Sequence, residues 1–180
     1  MDPRQFREVV GLFATGVTIV VAEVAGQVHA MTANAVTSVS LEPLLMLFCP
    51  SRKARIAQDL PGLTRFSINI LRQDQQALST YFAGGWKDSV PPPFRFVDSP
   101  AGPRLEGALA SIGCRTHRIT EAGDHYMVLG EVLCLHKGIT PHEPLLFVAG
   151  KYRGVDFTEG VSAPDLADVE DEPPHIFYPH

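Results

Sequence analysis

Several groups of side chains have the types and spacing to do chemistry, and the densest lies between Met31 and Pro43. There Thr32, Ala33, Asn34, Thr37, Ser38 and Ser40 put small and hydroxyl-bearing side chains where a buried strand ordinarily carries bulk. Small residues let a flat ligand lie against the backbone, and amides and hydroxyls can hydrogen-bond a heteroaromatic edge. The same residues equally describe a Ser/Thr-rich strand exit whose hydroxyls serve turns. Ser51, Arg52 and Lys53 follow an apolar, strand-like run and open a helical pattern. A hydroxyl, two cations and a helix N-terminus together attract a phosphate; the plainer alternative is a Ser-capped helix with a solvated basic face. Gly123-Asp124-His125 offers a glycine turn, a carboxylate able to orient an imidazole, and a histidine starting a strand beside Tyr126. It is also what a hairpin turn with an edge histidine looks like. Phe82-Ala83-Gly84, followed by Gly85 and Trp86, reads either as a helix C-cap or as a hinge over a planar ligand. Lys151, Tyr152 and Arg153 form a cationic, aromatic cluster that could meet a dinucleotide or simply end a strand.

The elements that must position these residues are legible in the pattern. Asp2 can cap a first helix, with Pro3 in its first turn and Gln5 completing a start like a capping box. Phe6, Val9, Val10 and Phe13 then share one apolar face, and Gly16 is the expected stop. Strands are expected at about 17–24, 28–37 and 43–49, with a hairpin turn near Gly26. A short helix is expected from Ser51 to Leu60, stopped by Pro61-Gly62, then a strand over Phe66 to Leu71 and a helix over Gln73 to Phe82. Further strands are expected near 94–98, 111–119, 125–136 and 144–150, with a turn over Glu121 to Asp124. Many short strands, few helices and no regular βαβ alternation predict a mainly β, mostly antiparallel barrel.

Composition sets the outer bounds. The chain has 180 residues, of which 45% are hydrophobic, enough for one domain with a sizeable core. No apolar run reaches the roughly 20 residues of a membrane helix, and the N-terminus lacks the order of a secretory signal. Cys49, Cys114 and Cys134 are far apart, without a CxxC pair; they read as small buried apolar residues in a reducing cytoplasm, not as bridges or zinc ligands. His136 and His142 lack the partners and spacing of a metal site. The net charge is -5, but Asp156, Glu159, Asp165, Asp168, Glu170, Asp171 and Glu172 all follow the last basic residue, Arg153. The body, residues 1–154, is therefore near neutral and carries no nucleic-acid footprint, while 155–180 reads as an acidic, Pro-rich tail. There is no GxSxG elbow, Walker loop or GxGxxG turn, so a nucleotide must bind by another route.

Taken in order, a set of segments resembles the short-chain flavin reductase family, the flavin-reductase-like domain of two-component monooxygenase systems. The segments are Phe13-Ala-Thr-Gly-Val-Thr-Ile-Val20, Met31 to Pro43, Phe66-Ser-Ile-Asn-Ile-Leu71, Phe82-Ala-Gly84, Leu105-Glu-Gly-Ala-Leu-Ala110, Gly123-Asp-His125, Gly130-Glu-Val132, Pro144-Leu145 and Gly150-Lys-Tyr152. The resemblance spans about residues 4 to 154. It implies a split β-barrel of Greek-key type that binds FMN or FAD, takes a hydride from NADH or NADPH, and passes reduced flavin to a partner monooxygenase. It also implies a homodimer with the flavin near the subunit interface. Carried over by motif, Thr32, Ala33, Asn34, Ser38 and Ser40 line the isoalloxazine and ribityl chain. Ser51, Arg52 and Lys53 hold the flavin phosphate, and Phe82, Ala83 and Gly84 border the flavin. His125, with Asp124 beside it, sits by the nicotinamide in a positioning role, and Tyr152 touches the nicotinamide or the flavin rim. The chain departs from the pattern at Ala30, where many relatives have Gly, in the linker Trp86 to Pro93, and in the tail. The residues by themselves leave open a flavoprotein that keeps its flavin and acts on an organic substrate, or a flavin- or haem-binding protein without activity.

Overall fold

The computed structural model describes residues 2–138 and 143–155; the acidic segment from 156 onward and His142 lie outside the described residues. Helix α1 (Pro3–Val10) opens the chain, followed by strands β1 (Thr15–Gly16), β2 (Thr18–Val24), β3 (Gln27–Ala33), β4 (Val36–Leu41) and β5 (Leu44–Phe48). Helix α2 (Arg55–Gln58), strand β6 (Arg65–Ile70) and helix α3 (Gln76–Phe82) come next. Strands β7 (Phe96–Val97), β8 (Arg104–Leu105), β9 (Ala110–Ala122), β10 (His125–Lys137), β11 (Leu146–Val148) and β12 (Lys151–Arg153) complete the order.

The main sheet has seven strands in the order β3-β2-β6-β9-β10-β5-β4, every neighbouring pair antiparallel. Its two edges, β3 and β4, are consecutive in the chain and joined only by Asn34 and Ala35. Three Cα steps of about 3.8 Å cannot span more than about 11 Å, so the two edges must meet at that corner. The sheet therefore curls into a barrel that is split between β3 and β4. The passage from β5 to β6 skips β10 and β9 in the sheet, the non-neighbour connection of a Greek key.

Burial follows from this curl. Val20, Ala22, Met31, Val36, Met46, Phe48, Phe66, Ile68, Cys114 and Val128 come from all seven strands and pack together with Ile56 of α2. Strand β2 is buried on both faces, because Ile19 and Val21 point the other way and pack with Leu71, Leu78, Leu105 and Leu145. That double burial explains why Ile19 to Ala22 reads as a continuous apolar run. The outer core holds α3 and the β11–β12 unit against the barrel wall.

Four expectations need correction. The first helix ends at Val10 with Gly11 as its cap, not at Gly16. Its Asp2 cap does form, accepting from the Arg4 N–H at 2.9 Å. The chain turns early because the Gly11 carbonyl accepts from the Ala149 N–H at 2.6 Å. The strand expected over 28–37 is two strands, broken at Asn34-Ala35 where the chain passes from one edge to the other. The helix expected over Ser51–Leu60 is one turn, Arg55–Gln58, followed by a 3₁₀ turn at Leu60–Gly62. Residues 51–54 are taken by other bonds: Ser51 pairs with His125 across an isolated bridge, and the Ser51 carbonyl accepts from the Ala54 N–H. The run at 144–150 likewise divides into a hairpin, with Ala149 and Gly150 at φ +50° and +73° between β11 and β12. The three cysteines are free thiols, Cys114 buried and Cys49 and Cys134 half-buried.

Candidate functional site at the split of the barrel

The corner at Asn34-Ala35 is the centre of the site. Both residues are exposed, and no hydrogen bond engages either N–H among the described residues. The Asn34 side-chain amide donates to Thr15 Oγ1 at 3.3 Å. Ala33 is buried, and its carbonyl accepts from Thr18 Oγ1 at 2.7 Å, which pins β3 to β2 just before the corner.

One flank is built by α3 and β12. Thr32 Oγ1 donates to the Ser79 carbonyl at 2.7 Å, and Ser79 Oγ is 2.9 Å from the Tyr152 hydroxyl. Ser79 is fully buried, so this chain of bonds ties the site strand, the helix and Tyr152 into one unit. Phe82, Ala83 and Gly84 follow within the next helical turn. Gly84 sits at φ +77° with open space beside its α-carbon. Its N–H bonds Tyr81 O and the Gly85 N–H bonds Thr80 O, each at 3.0 Å, which is a Schellman cap. The cap reading of this segment holds, and the cap leaves a side-chain-free surface facing outward.

The other flank is built by residues 49–53 and the β9–β10 hairpin. The Cys49 N–H donates to Ala35 O at 3.0 Å, and the Tyr126 N–H to Pro50 O at 2.9 Å. Residues 49–51 thereby link the corner to His125. The hairpin turns at Gly123, φ +62°, and Asp124. His125 Nδ1 is 2.8 Å from Asp124 Oδ1, and Nε2 has no partner among the described residues. The bond with His125 holds the Asp124 carboxyl below its ordinary range, helped by the His125 and Arg7 charges. Lys53 is exposed, without a partner among the described residues, and its N–H bonds the Ser51 hydroxyl at 3.3 Å. Arg52 faces elsewhere. Its Nε donates to Gly123 O at 2.9 Å, its Nη2 to Glu121 at 2.7 Å, and its guanidinium lies 5.0 Å from the Tyr126 ring centre.

The structure thus gathers Thr32, Ala33, Asn34, Phe82, Ala83, Gly84 and Tyr152 on one flank, and Ser51, Arg52, Lys53, Asp124 and His125 on the other. Ser38 and Ser40 lie apart, along β4. Ser40 is four residues past Val36, about 13 Å at the rise of a strand, and its hydroxyl accepts from the Glu42 N–H at 3.2 Å in the β4–β5 turn. Ser79, Thr15, Glu121 and Tyr126 were not singled out as site residues from sequence. Thr15 lies in the Phe13–Val20 segment, but a serine inside Gln-Ala-Leu-Ser-Thr-Tyr-Phe carries no mark of a junction. A separate cleft of about 250 Å³, lined among others by Ser67, Arg104, Ser111, Cys134 and His136, shares no residue with this site. Its buried hydroxyls bond inward, to Pro103 O and Asn69.

The split barrel thus has an open corner with a cation unpaired among the described residues on one flank and aromatic surface on the other. The chain belongs to the family of the flavin reductase like domain, whose profile matches residues 10–156. The reductase subunit HsaB of a flavin-dependent monooxygenase from Rhodococcus jostii is 37% identical over 174 residues, covering 94% of this chain and 87% of that protein. A flavin reductase solved in its native state superposes with a TM-score of 0.80 at 42% identity, covering 87% of this chain and 99% of the other. The NADH:FAD oxidoreductase SgcE6 of Streptomyces globisporus, solved with NAD and FAD fragments, superposes with a TM-score of 0.74 at 35% identity, covering 92% and 97%.

Proposed function

We infer that this protein is an NAD(P)H-dependent flavin reductase, moving a hydride from NADH or NADPH to FMN or FAD and supplying reduced flavin to a partner monooxygenase. The observation that carries the reading is the continuous rim from Tyr152 and Ser79 through Thr32 and Asn34 to Ser51 and His125, centred on an uncovered backbone corner. Its donors suit a flavin: the Asn34 and Ala35 amides, without partners among the described residues, for the polar ring edge, and the Ser51 hydroxyl with the Lys53 ammonium for a phosphate. When bound, the flavin and nicotinamide carry the redox chemistry themselves.

The chain's own residues then have defined tasks. Thr32, Ala33 and Asn34 present a thin wall so that a ring system can approach the backbone, and Phe82, Ala83 and Gly84 border it from α3. The N–H groups at the corner are fixed dipoles that stabilise negative charge arising on the ring edge without reorganising. His125, held by Asp124 through Nδ1, offers Nε2 to orient the nicotinamide. No proton is abstracted in hydride transfer, so a positioning role suffices. Tyr152, fixed by Ser79, closes the opposite side. Ser38 and Ser40, on β4 toward the β4–β5 turn, lie away from this rim and are given no task in it.

The unit is the body, residues 1–154, working as a homodimer in the cytoplasm. Among the described residues, Phe6, Val9, Val10 and Phe13 are 50–77% exposed, an apolar face that a lone soluble subunit does not keep in water. The test is oxidation of NADH and NADPH by the purified protein with added FMN or FAD. The reading expects a rate that rises with flavin and with protein and saturates in both substrates; oxidation no faster than the flavin-only blank overturns it.

A further inference from the structure

We propose that Arg52 is a positioning residue that clamps the His125 hairpin, leaving Lys53 and Ser51 as the groups that meet the flavin phosphate. The inference deepens the proposed function and rests on it.

The geometry separates neighbouring cations by where they point. The Arg52 backbone N–H donates to Asp124 O at 2.9 Å, and its side chain reaches Gly123 O and the Glu121 carboxylate at 2.9 and 2.7 Å. The same guanidinium lies over Tyr126. These contacts bracket His125 on both sides in sequence: residues 121, 123 and 124 before it, and 126 after it. The bridge between Ser51 and His125 and the bond from the Tyr126 N–H to Pro50 O complete the attachment. The β9–β10 ladder, paired up to His125 and Ala122, sets the shape of the turn. Residues 50–52 tie that exposed tip to the corner of the barrel.

An exposed Arg–Glu pair alone contributes little. Here the planar fork is also spent on a backbone carbonyl and an aromatic face, an arrangement a lysine cannot reproduce. To ligate a phosphate, the guanidinium would have to leave all three partners, whereas the Lys53 ammonium has none to leave among the described residues. One short segment thus serves both ligands: Ser51 and Lys53 address the flavin, and Arg52 holds the histidine that addresses the nicotinamide.

Arg52→Ala, Arg52→Lys and Lys53→Ala separate the roles by two readouts, flavin dissociation constant by fluorescence quenching and KM for the reduced nicotinamide. Amide exchange over residues 121–126 in the ligand-free protein adds a third readout that needs no activity. The clamp predicts that both Arg52 variants speed exchange in the hairpin and raise KM for the nicotinamide about tenfold, with flavin affinity within about twofold. Lys53→Ala shows the reverse pattern. Weak flavin binding in Arg52→Ala that Arg52→Lys restores, with hairpin exchange unchanged, overturns the clamp and makes Arg52 a phosphate ligand. If Arg52→Ala does not fold, Arg52→Lys carries the same contrast. Should the wild type fail to oxidise nicotinamide with flavin, the functional reading falls, while the exchange data still decide the clamp.

Discussion

Asn69 is the polar hub on which the outer core depends, and replacing it with leucine removes the hub while keeping a side chain of similar size. The residue is fully buried in β6. Its Oδ1 accepts from the Leu105 N–H at 3.0 Å and from Ser111 Oγ at 2.8 Å. Its Nδ2 donates to Ile19 O at 2.9 Å and contacts Ser67 Oγ at 3.0 Å. Leu105 is fully buried and Ser111 is 2% exposed, so neither stranded donor finds water. Each buried group left without a partner costs about 1–3 kcal/mol. The Ser111 hydroxyl can rotate and recover part of its share, so Asn69→Leu should lose about 3 kcal/mol, a large fraction of the ~5–15 kcal/mol of an ordinary domain. At roughly 2–4 °C per kcal/mol the melting temperature falls by about 10 °C. Urea denaturation of Asn69→Leu, Ser111→Ala and the double variant measures this directly. The double variant should recover about 1 kcal/mol relative to the sum of the singles, because removing the serine also removes the donor that leucine strands. A loss below about 0.5 kcal/mol in Asn69→Leu, or strict additivity, would refute the hub.

Three further outcomes are expected. Gly130→Ala places a methyl against Phe66 Cζ and within 2.8 Å of Cys114 Cβ inside the barrel; it should cost at least ~1–3 kcal/mol in a denaturant titration. Ala25→Asn and Ala149→Asn act on residues at φ +52° and +50°, each followed by a glycine at positive φ, and should each add about 0.5–1 kcal/mol by supplying the Asn-Gly pair such hairpins favour. Burial, with Cys134 nearby, pushes the Cys114 thiol up to about 12. The unfolded chain therefore loses this proton first, near 9.0, and stability contributed by the protonated thiol should decline as pH rises from about 9 toward 12. At neutral pH iodoacetamide should label Cys114 only in denatured protein.

How much of this was legible in the sequence depends on where the cause lies. The strands were readable because their causes are local: β2 is apolar on both faces, β9 and β10 are long and β-prone, and glycine marks their turn. The barrel followed from the number of short strands and the lack of βαβ alternation. The small residues of Met31 to Pro43 stood out because such residues are unusual in a strand, and they include the corner between β3 and β4, with the other motif segments to either side of it. The failures have tertiary causes. Ser51 to Leu60 has helical spacing, yet its first residues are claimed by the Ser51–His125 bridge and by turn bonds. Arg52 and Lys53 are both simply cations in the sequence; only the hairpin's approach gives Arg52 partners that Lys53 lacks among the described residues. Ser79 is silent in sequence because its role arises when β3 and β12 arrive from 47 and 73 positions away. Of the expected apolar stripe, Phe6, Val9 and Val10 lie on α1 while Phe13 falls beyond its end, and the pattern alone does not tell a stripe facing its own core from one left exposed, as here.

The central claim, hydride transfer to a flavin that the protein then releases, is tested most directly by anaerobic mixing. A small amount of purified protein is combined with a large excess of free FMN or FAD and excess NADH or NADPH, and the visible absorbance of oxidised flavin is followed. The account predicts that the whole flavin pool bleaches, at a rate proportional to protein. Bleaching that stops at one flavin per subunit would show a flavin that does not leave, and no bleaching above the protein-free control would contradict flavin reduction itself.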